Sequence, residues 1–583
     1  MQKTRVLSLI VCLMMIGLLA SLISGCAGEG EGEGEGEGEV TPQYGGQLNL
    51  WSTTDPTGYD DAITVHYTTT GPYQCLWGGD WTKGHAGGYG TAKCDWYVRG
   101  ELNRLADKTG KIADSWERGD DYITFHLRDG VKWPNIAPCN GRALTADDVV
   151  KSWERQRTLV TSYLHMSYPD LCADLSISKV DESTVRFDCS PEWMAYLVSM
   201  IDFVFIYPQD VLDMYGDMND WQRAIGTGAF ILKQYVPGSY TYWEKNPNYW
   251  ETNPVGLGQG NPLPYMDSVR VVIEPDVPTA DSLFKLGKID LITADFDRAE
   301  SLITACPDAK YNKFIDGAVK GVIFMRTDNE DKPYHDLNVR RALQLAIDQQ
   351  KIIDEYFGGE AIKLYWPVYP CKEYANAYMD LEDYPASVQE LFSYDLDKAK
   401  QLMADAGYAD GFKAEMVYWN LYIPQDVMTM VKDMWAEIGV DLTLKGLDYT
   451  PWYNAQAMRN YNDMFYGTFS GDGAFFKGIN WSGTSMFNSS FVDDTTLNGY
   501  RDQMLAAYLV DEDEADSIHR EMLPYLLEQC YVIQTAAHYT WAFWWPWLKN
   551  YSGEGAVGYY PGSGFGWTQY VWIDQVLKEE MGY

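Results

Sequence analysis

Two hydrophobic periods alternate along this chain, and their alternation constrains its fold more than any other feature. Val269, Val271 and Ile273 recur at every second position, which is the period of a half-buried β-strand. In residues 338–350 and 395–407 the apolar side chains instead follow the i, i+3, i+4, i+7 spacing of an amphipathic helix. Because both periods occur through most of the chain and no fixed-length repeat is present, the sequence predicts an α/β fold.

Local signals predict where some of these elements begin and end. Apolar and polar residues alternate over residues 123–127, and the turn pair Asp129-Gly130 predicts a hairpin whose second strand follows directly. Thr145 and Asp148 have the spacing of a capping box ahead of an apolar face, so a helix should begin there. Gly407 is placed to end the second amphipathic helix in a left-handed conformation.

The N-terminal segment predicts the compartment of the protein. A charged start precedes an apolar run over residues 6–23, which is typical of an export signal. The end of this run, with small residues before Cys26, resembles the lipobox of bacterial lipoproteins. That resemblance implies removal of residues 1–25 and a lipid on Cys26 that anchors the protein to the membrane. A plain secreted protein and a single membrane anchor are the alternatives.

The segment after Cys26 is expected to be a tether. Glycine and glutamate alternate from Gly28 to Glu39, a stretch that has no apolar side chain to bury, so the tether at residues 26–43 should be extended and solvated. No second long apolar run follows, so the rest is expected to be soluble. The formal charge is −38, from 45 Lys and Arg against 83 Asp and Glu, which argues against a nucleic-acid partner.

Cysteine and histidine patterns bear on disulfides and metals. Eight cysteines follow the tether, and an even number outside the cytoplasm permits disulfide bonds whose pairing the sequence leaves open. No C-x-x-C pair occurs, and the seven histidines lack the spacing of zinc ligands. Neither a metal nor another cofactor is therefore predicted. The eight cysteines are Cys75, Cys94, Cys139, Cys172, Cys189, Cys306, Cys371 and Cys530.

Several segments, taken in chain order, resemble one family of solute receptors. They are YGGQLNLWSTTDPTGYDDA at 44–62, LRDGVKWPN and RALTADDVVKSWERQ within 127–156, GTGAFILKQYVPGSYTYWEKNPNYW at 226–250, PYMDSVRVVIEPDVPTADSLFKLGKIDL at 264–291, NVRRALQLAIDQQKI and YDLDKAKQLMADAGYADGF. This order is similar to that of the peptide, dipeptide and nickel-binding proteins of ABC importers, known as solute-binding family 5. The likeness covers most of residues 44–450, and the last hundred residues match weakly.

The resemblance implies a two-lobed, periplasmic-binding-protein-like α/β fold that closes on its ligand by a hinge. Lobe I would comprise residues 44–72, 196–320 and 538–583, with an inserted domain II at 73–195 and lobe III at 321–537. The hinge would lie near Gly321 and Ala537, where the chain crosses between the lobes.

The same resemblance suggests ligand-binding residues. Peptide-binding members carry an aspartate on the second lobe that pairs with the amine of the ligand, and Asp472 is the candidate here. Its alternative role is to stabilise a glycine-flanked turn. Trp419 is expected either to face the cleft or to pack in the core. Phe469 and Tyr466 are proposed only from their closeness to Asp472, and Trp51 from its place near the opening loop.

Two further segments stand out by composition. The tryptophan cluster at residues 541–547 could line the cleft, where stacked rings would suit sugars, or could seal a lobe by burying apolar area. The acidic run Asp511–Asp516 is expected to be a solvated helix start, because its spacing is not that of a calcium-binding loop.

Together these features predict a monomeric receptor lipoprotein that hands a solute to the permease subunits of an ABC importer and has no catalytic residues. Peptide is the leading solute, oligosaccharide the alternative, and a nickel chelate the third. A secreted glycoside hydrolase and a surface lipoprotein without transport function are the alternatives from other classes. The sequence carries no G-x-S-x-G elbow and no Walker loop, which disfavours an enzyme.

Overall fold

The computed structural model describes residues 41–63, 71–97, 104–315, 321–420, 425–468, 488–558 and 566–583. Strands and helices alternate along these ranges, which confirms the α/β prediction. The helices are α1 (Ala146–Thr158), α2 (Tyr163–Ser167), α3 (Pro169–Asp174), α4 (Pro191–Ser199), α5 (Gln209–Tyr215), α6 (Val277–Lys285), α7 (Phe296–Ala305), α8 (Leu337–Leu345), α9 (Gln349–Lys351), α10 (Ala386–Leu391), α11 (Leu396–Asp405), α12 (Gln425–Ala436), α13 (Tyr449–Ala457), α14 (Thr495–Tyr508), α15 (Glu512–Glu528) and α16 (Gln575–Glu580).

The strands form three larger sheets, a three-stranded sheet and short two-stranded ribbons. They are β1 (Gln47–Ser52), β2 (Trp77–Gly79), β3 (Lys108–Gly110), β4 (Ala113–Arg118), β5 (Tyr122–Leu127), β6 (Ser176–Asp181), β7 (Thr184–Asp188), β8 (Phe230–Val236), β9 (Tyr240–Lys245), β10 (Ser268–Ile273), β11 (Leu291–Ala294), β12 (Lys310–Phe314), β13 (Gly321–Met325), β14 (Ala361–Ile362), β15 (Phe412–Trp419), β16 (Val440–Leu447), β17 (Met464–Thr468), β18 (Val532–Ile533), β19 (Ala537–His538), β20 (Thr540–Trp544), β21 (Leu548–Lys549) and β22 (Trp572–Ile573).

One four-stranded sheet joins the start of the described chain to its middle. Its order is β1-β10-β9-β8, with β1 parallel to β10 and the other pairs antiparallel. Val269, Val271 and Ile273 on β10 are all less than a tenth exposed. The two-residue period predicted for this strand is therefore confirmed, and its apolar face belongs to the core.

A three-stranded sheet of order β11-β20-β12 brings the C-terminal region against the middle of the chain. The central strand, β20, pairs antiparallel with both neighbours. Its residues Trp541 to Trp544 are at most 5% exposed, so this strand is buried on both faces. Because β12 ends at Phe314 and β13 begins at Gly321 in another sheet, the chain changes sheets between them.

The five-stranded sheet has the order β16-β15-β17-β13-β18 and packs against amphipathic helices. The helices α8 and α11 contact each other, as their apolar stripes predict. Gly407, just beyond α11, has φ of +87°, which confirms the predicted left-handed end of this helix. The chain leaves this sheet again after β18 and enters the three-stranded sheet at β20.

The fourth sheet, of order β4-β5-β7-β6, corrects one prediction. The expected hairpin around Asp129-Gly130 is wrong, because β5 pairs with β4 and β7 and not with the residues that follow the turn. Lys132 instead forms an isolated bridge with Ala143. The capping box of Thr145 and Asp148 is present at the start of α1, as predicted.

The disulfide option is not realised among the described residues, where all eight cysteines after the tether are free thiols and seven of them are buried. Over the same ranges, no group of three or more His, Cys, Asp or Glu side chains could hold a metal ion. None of the helices described above is long and apolar enough to cross a membrane. Cys26 and the tether lie outside the described residues.

Candidate functional site

A cavity of about 190 Å³, here called the cleft cavity, lies where distant parts of the chain meet. Its walls come from residues 95–97, from the end of β12, from residues 370–373 and from the link between β19 and β20. A cavity with walls from separate segments changes size when those segments move, which suits the enclosure of a ligand. The lining residues are Asp95, Tyr97, Lys313, Phe314, Ile315, Pro370, Cys371, Glu373 and Tyr539.

A second cavity, of about 70 Å³, lies near Gln74, Lys111 and Asp202. Its volume is enough for a few water molecules but not for a solute of several heavy atoms. The cleft cavity is therefore the better candidate for a functional site.

Lys313 supplies a cation to the cleft cavity. Its Nζ atom lies 4.2 Å from the ring centroid of Tyr539 and 5.2 Å from that of Trp541, and it forms an ion pair with Glu360. The aromatic rings hold the ammonium group by cation–π attraction. Because the Lys313 side chain is 37% exposed and that of Glu360 is 40% exposed, this pair can exchange its carboxylate for one from a ligand.

Asp95 supplies a carboxylate to the same cavity. Its Oδ1 atom lies 2.9 Å from Nζ of Lys372 and 3.7 Å from Nε2 of His85. Although burial by itself raises the pKa of Asp95, the neighbouring His85 ring and the hydrogen-bonded, positively charged Lys372 lower it below its ordinary value. Asp95 is therefore charged at neutral pH.

Glu373 lies beside Asp95 and is almost completely buried. Its Oε1 atom accepts hydrogen bonds from the backbone N–H groups of Asp95, at 2.9 Å, and Trp96, at 2.8 Å. Burial raises the pKa of Glu373, although these backbone bonds oppose the shift. The cleft cavity is therefore lined by the Asp95 carboxylate, which is charged, and by the Lys313 ammonium group.

The structure places three of the predicted ligand-binding residues away from the cleft cavity. Trp51 on β1 is half-buried, and its Nε1 atom donates a 2.9 Å hydrogen bond to the carbonyl oxygen of Glu274. Trp419, at the end of β15, stacks on Trp452 with ring centroids 5.5 Å apart. Tyr466 on β17 is 5% exposed. Asp472 and Phe469 lie outside the described residues.

The tryptophan cluster is part of the core. Trp545 and Trp547 stack with centroids 4.8 Å apart and are at most 2% exposed. Their indole N–H groups donate to the carbonyl oxygen of Phe284 at 3.0 Å and to Asp290 Oδ1 at 2.8 Å. Buried rings with satisfied N–H groups cannot stack on a sugar, so the sealing role is the one that the structure supports.

Sequence reasoning missed every residue that lines the cleft cavity. Lys313, Glu373 and Tyr539 stand in different elements, and no motif joins them. Lys313 lies in an ordinary strand, and Glu373 in a short 3₁₀ helix, Lys372–Tyr374. Only their contacts in the folded chain show that they belong together.

The order of elements and the cleft agree with a known group of receptors. A sequence model described as "Bacterial extracellular solute-binding proteins, family 5 Middle" matches residues 109–488. The chain belongs to this family. Family 5 proteins are receptors and not enzymes, so the prediction of a non-catalytic extracytoplasmic protein is confirmed.

Two characterised relatives bind different solutes. The chain is 28% identical to heme-binding protein A of Haemophilus influenzae over 367 residues, which are 58% of this chain and 62% of the relative. It is 26% identical to the dipeptide-binding protein of Escherichia coli over 353 residues, or 56% of this chain and 61% of that protein. The chain thus aligns with about three fifths of the length of each relative.

Solved structures show the same fold over more of the chain. DppA from Helicobacter pylori in complex with the peptide STSA matches with a TM-score of 0.68 and 19% identity, covering 91% of this chain and 99% of that one. AppA from Bacillus subtilis in complex with a nonapeptide matches with a TM-score of 0.67 and 18% identity over 91% and 99%. The predicted periplasmic-binding-protein-like fold is therefore confirmed.

Proposed function

We propose that this family 5 receptor captures peptides in the cleft cavity and delivers them to the membrane subunits of an ABC importer. In this proposal it works as a monomer outside the cytoplasm and is tethered to the membrane by a lipid on Cys26. The names of the E. coli relative and of both peptide complexes support a peptide ligand.

The observation that carries the proposal is that two side chains of opposite charge, Lys313 and Asp95, both line the cleft cavity. A free peptide carries an ammonium group at one end and a carboxylate at the other, and each needs a fixed counter-charge when it is enclosed. Lys313 is the group suited to the ligand carboxylate, because its present partner, Glu360, is exposed and replaceable. Asp472 remains the residue proposed for the ligand amine.

The proposed motion is closure of lobe I, with its inserted domain II, onto lobe III. The chain changes between the three-stranded and five-stranded sheets twice, once between β12 and β13 and once between β18 and β20. Two adjacent crossings of this kind allow rotation of one sheet relative to the other without breaking either. The domain bounds 44–72, 73–195, 196–320, 321–537 and 538–583 belong to this proposal.

Haem is the second candidate solute, because the relative from H. influenzae is named for binding it. Tyr97, Tyr539 and Cys371 line the cleft cavity and are residue types that can ligate haem iron. Oligosaccharide loses its main support, since the tryptophan cluster that suggested it is buried in the core.

The direct test is a thermal-shift screen of the protein against dipeptides to tetrapeptides, haemin and oligosaccharides. A ligand at 100 times its dissociation constant stabilises the folded state by about 2.7 kcal/mol, which gives a measurable shift. Stabilisation by peptides supports the proposal. Stabilisation by haemin or sugars, with no response to any peptide, would refute it.

Charge-matched ligands and variants then test the two counter-charges. Lys313→Met should weaken binding of peptides with a free carboxylate by about 1 kcal/mol, because Lys313 is partly exposed, and should leave C-terminally amidated peptides unaffected. Lys310→Met, on the same strand but not among the residues that line the cleft cavity, is the matched control and should bind like wild type. Asp472→Asn should weaken binding of peptides with a free amine and not of their N-acetylated forms.

A further inference from the structure

Two short pieces of the chain, residues 95–97 and 104–106, contact the region 321–537 at separate points. We call them together the clamp segment. Both pieces come from the part proposed as domain II, and the residues that they contact come from the part proposed as lobe III. Opening the cleft cavity would therefore have to separate these contacts.

The first attachment uses one buried carboxylate and two consecutive backbone N–H groups. Glu373 Oε1 accepts from the N–H groups of Asp95 and Trp96 at 2.9 and 2.8 Å. The backbone N–H of Lys372 donates to Asp95 Oδ2 at 3.2 Å, and its Nζ atom lies 2.9 Å from Asp95 Oδ1. Hydrogen bonds to a charged acceptor in a buried position are among the stronger ones in proteins.

The second attachment repeats this arrangement with a different acid. Glu512, in the first turn of α15, accepts from the N–H of Leu105 at 2.6 Å and from the N–H of Ala106 at 3.0 Å. Arg104 adds two ion pairs to the same helix, at 2.8 Å to Asp513 and 2.8 Å to Asp516. The acidic run is therefore not simply solvated, because Asp516 is only 3% exposed.

A hydrogen bond within the region 321–537 links the neighbourhoods of Glu373 and Glu512. Nδ2 of Asn376, three residues after Glu373, donates to Asp513 Oδ1 at 3.0 Å. In addition, Arg118 in the part proposed as domain II donates from Nη2 to the carbonyl oxygen of Leu509, just before α15, at 2.6 Å. Burial raises the pKa of both Glu373 and Glu512, as expected for carboxylates enclosed at an interface.

We propose that the clamp segment is a double latch that keeps the cleft cavity closed, and that its two attachments open together. This inference rests on the proposed closure of the cleft and adds the residues that hold it shut. Asp95 and Tyr97 of the clamp segment also line the cleft cavity, so the latch and the ligand share a wall. Because Asn376 joins the chain next to Glu373 to the start of α15, weakening the latch at Glu512 should also loosen the cavity wall at residues 95–97.

Amide hydrogen exchange followed by mass spectrometry tests the latch on the full chain without any ligand. Glu512→Ala should speed exchange in peptides covering residues 104–106 by about tenfold or more, because two charge-assisted hydrogen bonds are lost. It should also speed exchange at residues 95–97 several-fold. Glu373→Ala should also speed exchange in both segments, but more at residues 95–97 than at residues 104–106.

Glu514→Ala is the matched control. Glu514 is exposed in the same first turn of α15, so this variant removes a helix-stabilising charge without touching the clamp segment. It should leave exchange in both peptides as in wild type. Glu512→Gln keeps the shape of the side chain and one carbonyl acceptor, so it should accelerate exchange less than Glu512→Ala. It also provides a second variant in case the alanine variant does not fold.

Two results would overturn the latch. One is exchange in Glu512→Ala equal to that of wild type at residues 104–106. The other is acceleration at 104–106 with none at 95–97, which would show two independent local contacts and no shared opening. Because no ligand is added, either failure is distinct from a failure of peptide binding in the thermal-shift screen.

Discussion

The buried histidine of α15 gives a prediction of how stability depends on pH. His519 is 2% exposed, and burial lowers its pKa from 6.5 to about 3. The folded protein therefore keeps this imidazole neutral at pH 5, whereas the unfolded chain protonates it below about pH 6.5. Stability from His519 is thus present above pH 6.5 and is lost as the pH falls towards 3.

The size of the effect follows from the two pKa values. At pH 5 the unfolded state gains about 1.4 kcal/mol for each of the 1.5 pH units below 6.5, which makes about 2 kcal/mol. Asp516, on the same helix, has the opposite sign, because burial raises its pKa to about 6 and the folded state takes up its proton first. The pH dependence of the unfolding free energy of wild type is therefore the sum of both contributions. A variant without the histidine is needed to isolate the part due to His519.

His519→Met removes the titrating group at similar volume. Urea denaturation at pH 7, 6 and 5, followed by tryptophan fluorescence, should show wild type losing about 2 kcal/mol more than this variant between pH 7 and pH 5. His126→Gln, at an exposed position of β5, is the control and should follow wild type. Parallel pH curves for wild type and His519→Met would refute the reasoning.

Two other predictions concern single contacts. Arg155→Met should destabilise the protein by about 3–5 kcal/mol, because Asp60, which is fully buried and bound at 2.5 and 2.7 Å, loses its counter-charge. Lys413→Met, at an exposed ion pair, should change stability by less than about 1 kcal/mol. If urea denaturation showed the same loss of unfolding free energy for Arg155→Met and Lys413→Met, this contrast would be contradicted. Gly79→Ala should cost about 1–3 kcal/mol, since its methyl group would lie 2.4 Å from the backbone nitrogen of Gly558. An unchanged denaturation midpoint would count against that close approach.

Features with local causes could be predicted from the sequence. The capping box of Thr145 and Asp148 needs only residues three apart, and Gly407 needs only the helix before it. The amphipathic faces of α8 and α11 repeat within a single helix and are present as predicted. In each case the residues that determine the structure lie within a few turns of one another.

The hairpin failed because the partner of a strand is chosen by the rest of the fold. Asp129-Gly130 makes a turn, and Gly130 has φ of +84°, as the sequence suggests. A turn, however, only reverses the chain, whereas strand pairing depends on which neighbour covers the buried residues. Strand β5 is covered by β4 and β7, and β7 lies more than fifty residues away in sequence.

The acidic run shows most clearly why the latch and the cleft could not be predicted. Composition alone indicates a solvated helix start at Asp511–Asp516, because an acid is rarely buried without a partner. That partner, Arg104, is 412 residues away from Asp516, and the backbone N–H groups that Glu512 accepts from are about as distant. Burial of these acids is a consequence of how two parts of the chain meet. The contacts proposed as the latch are therefore the ones that local sequence patterns cannot show.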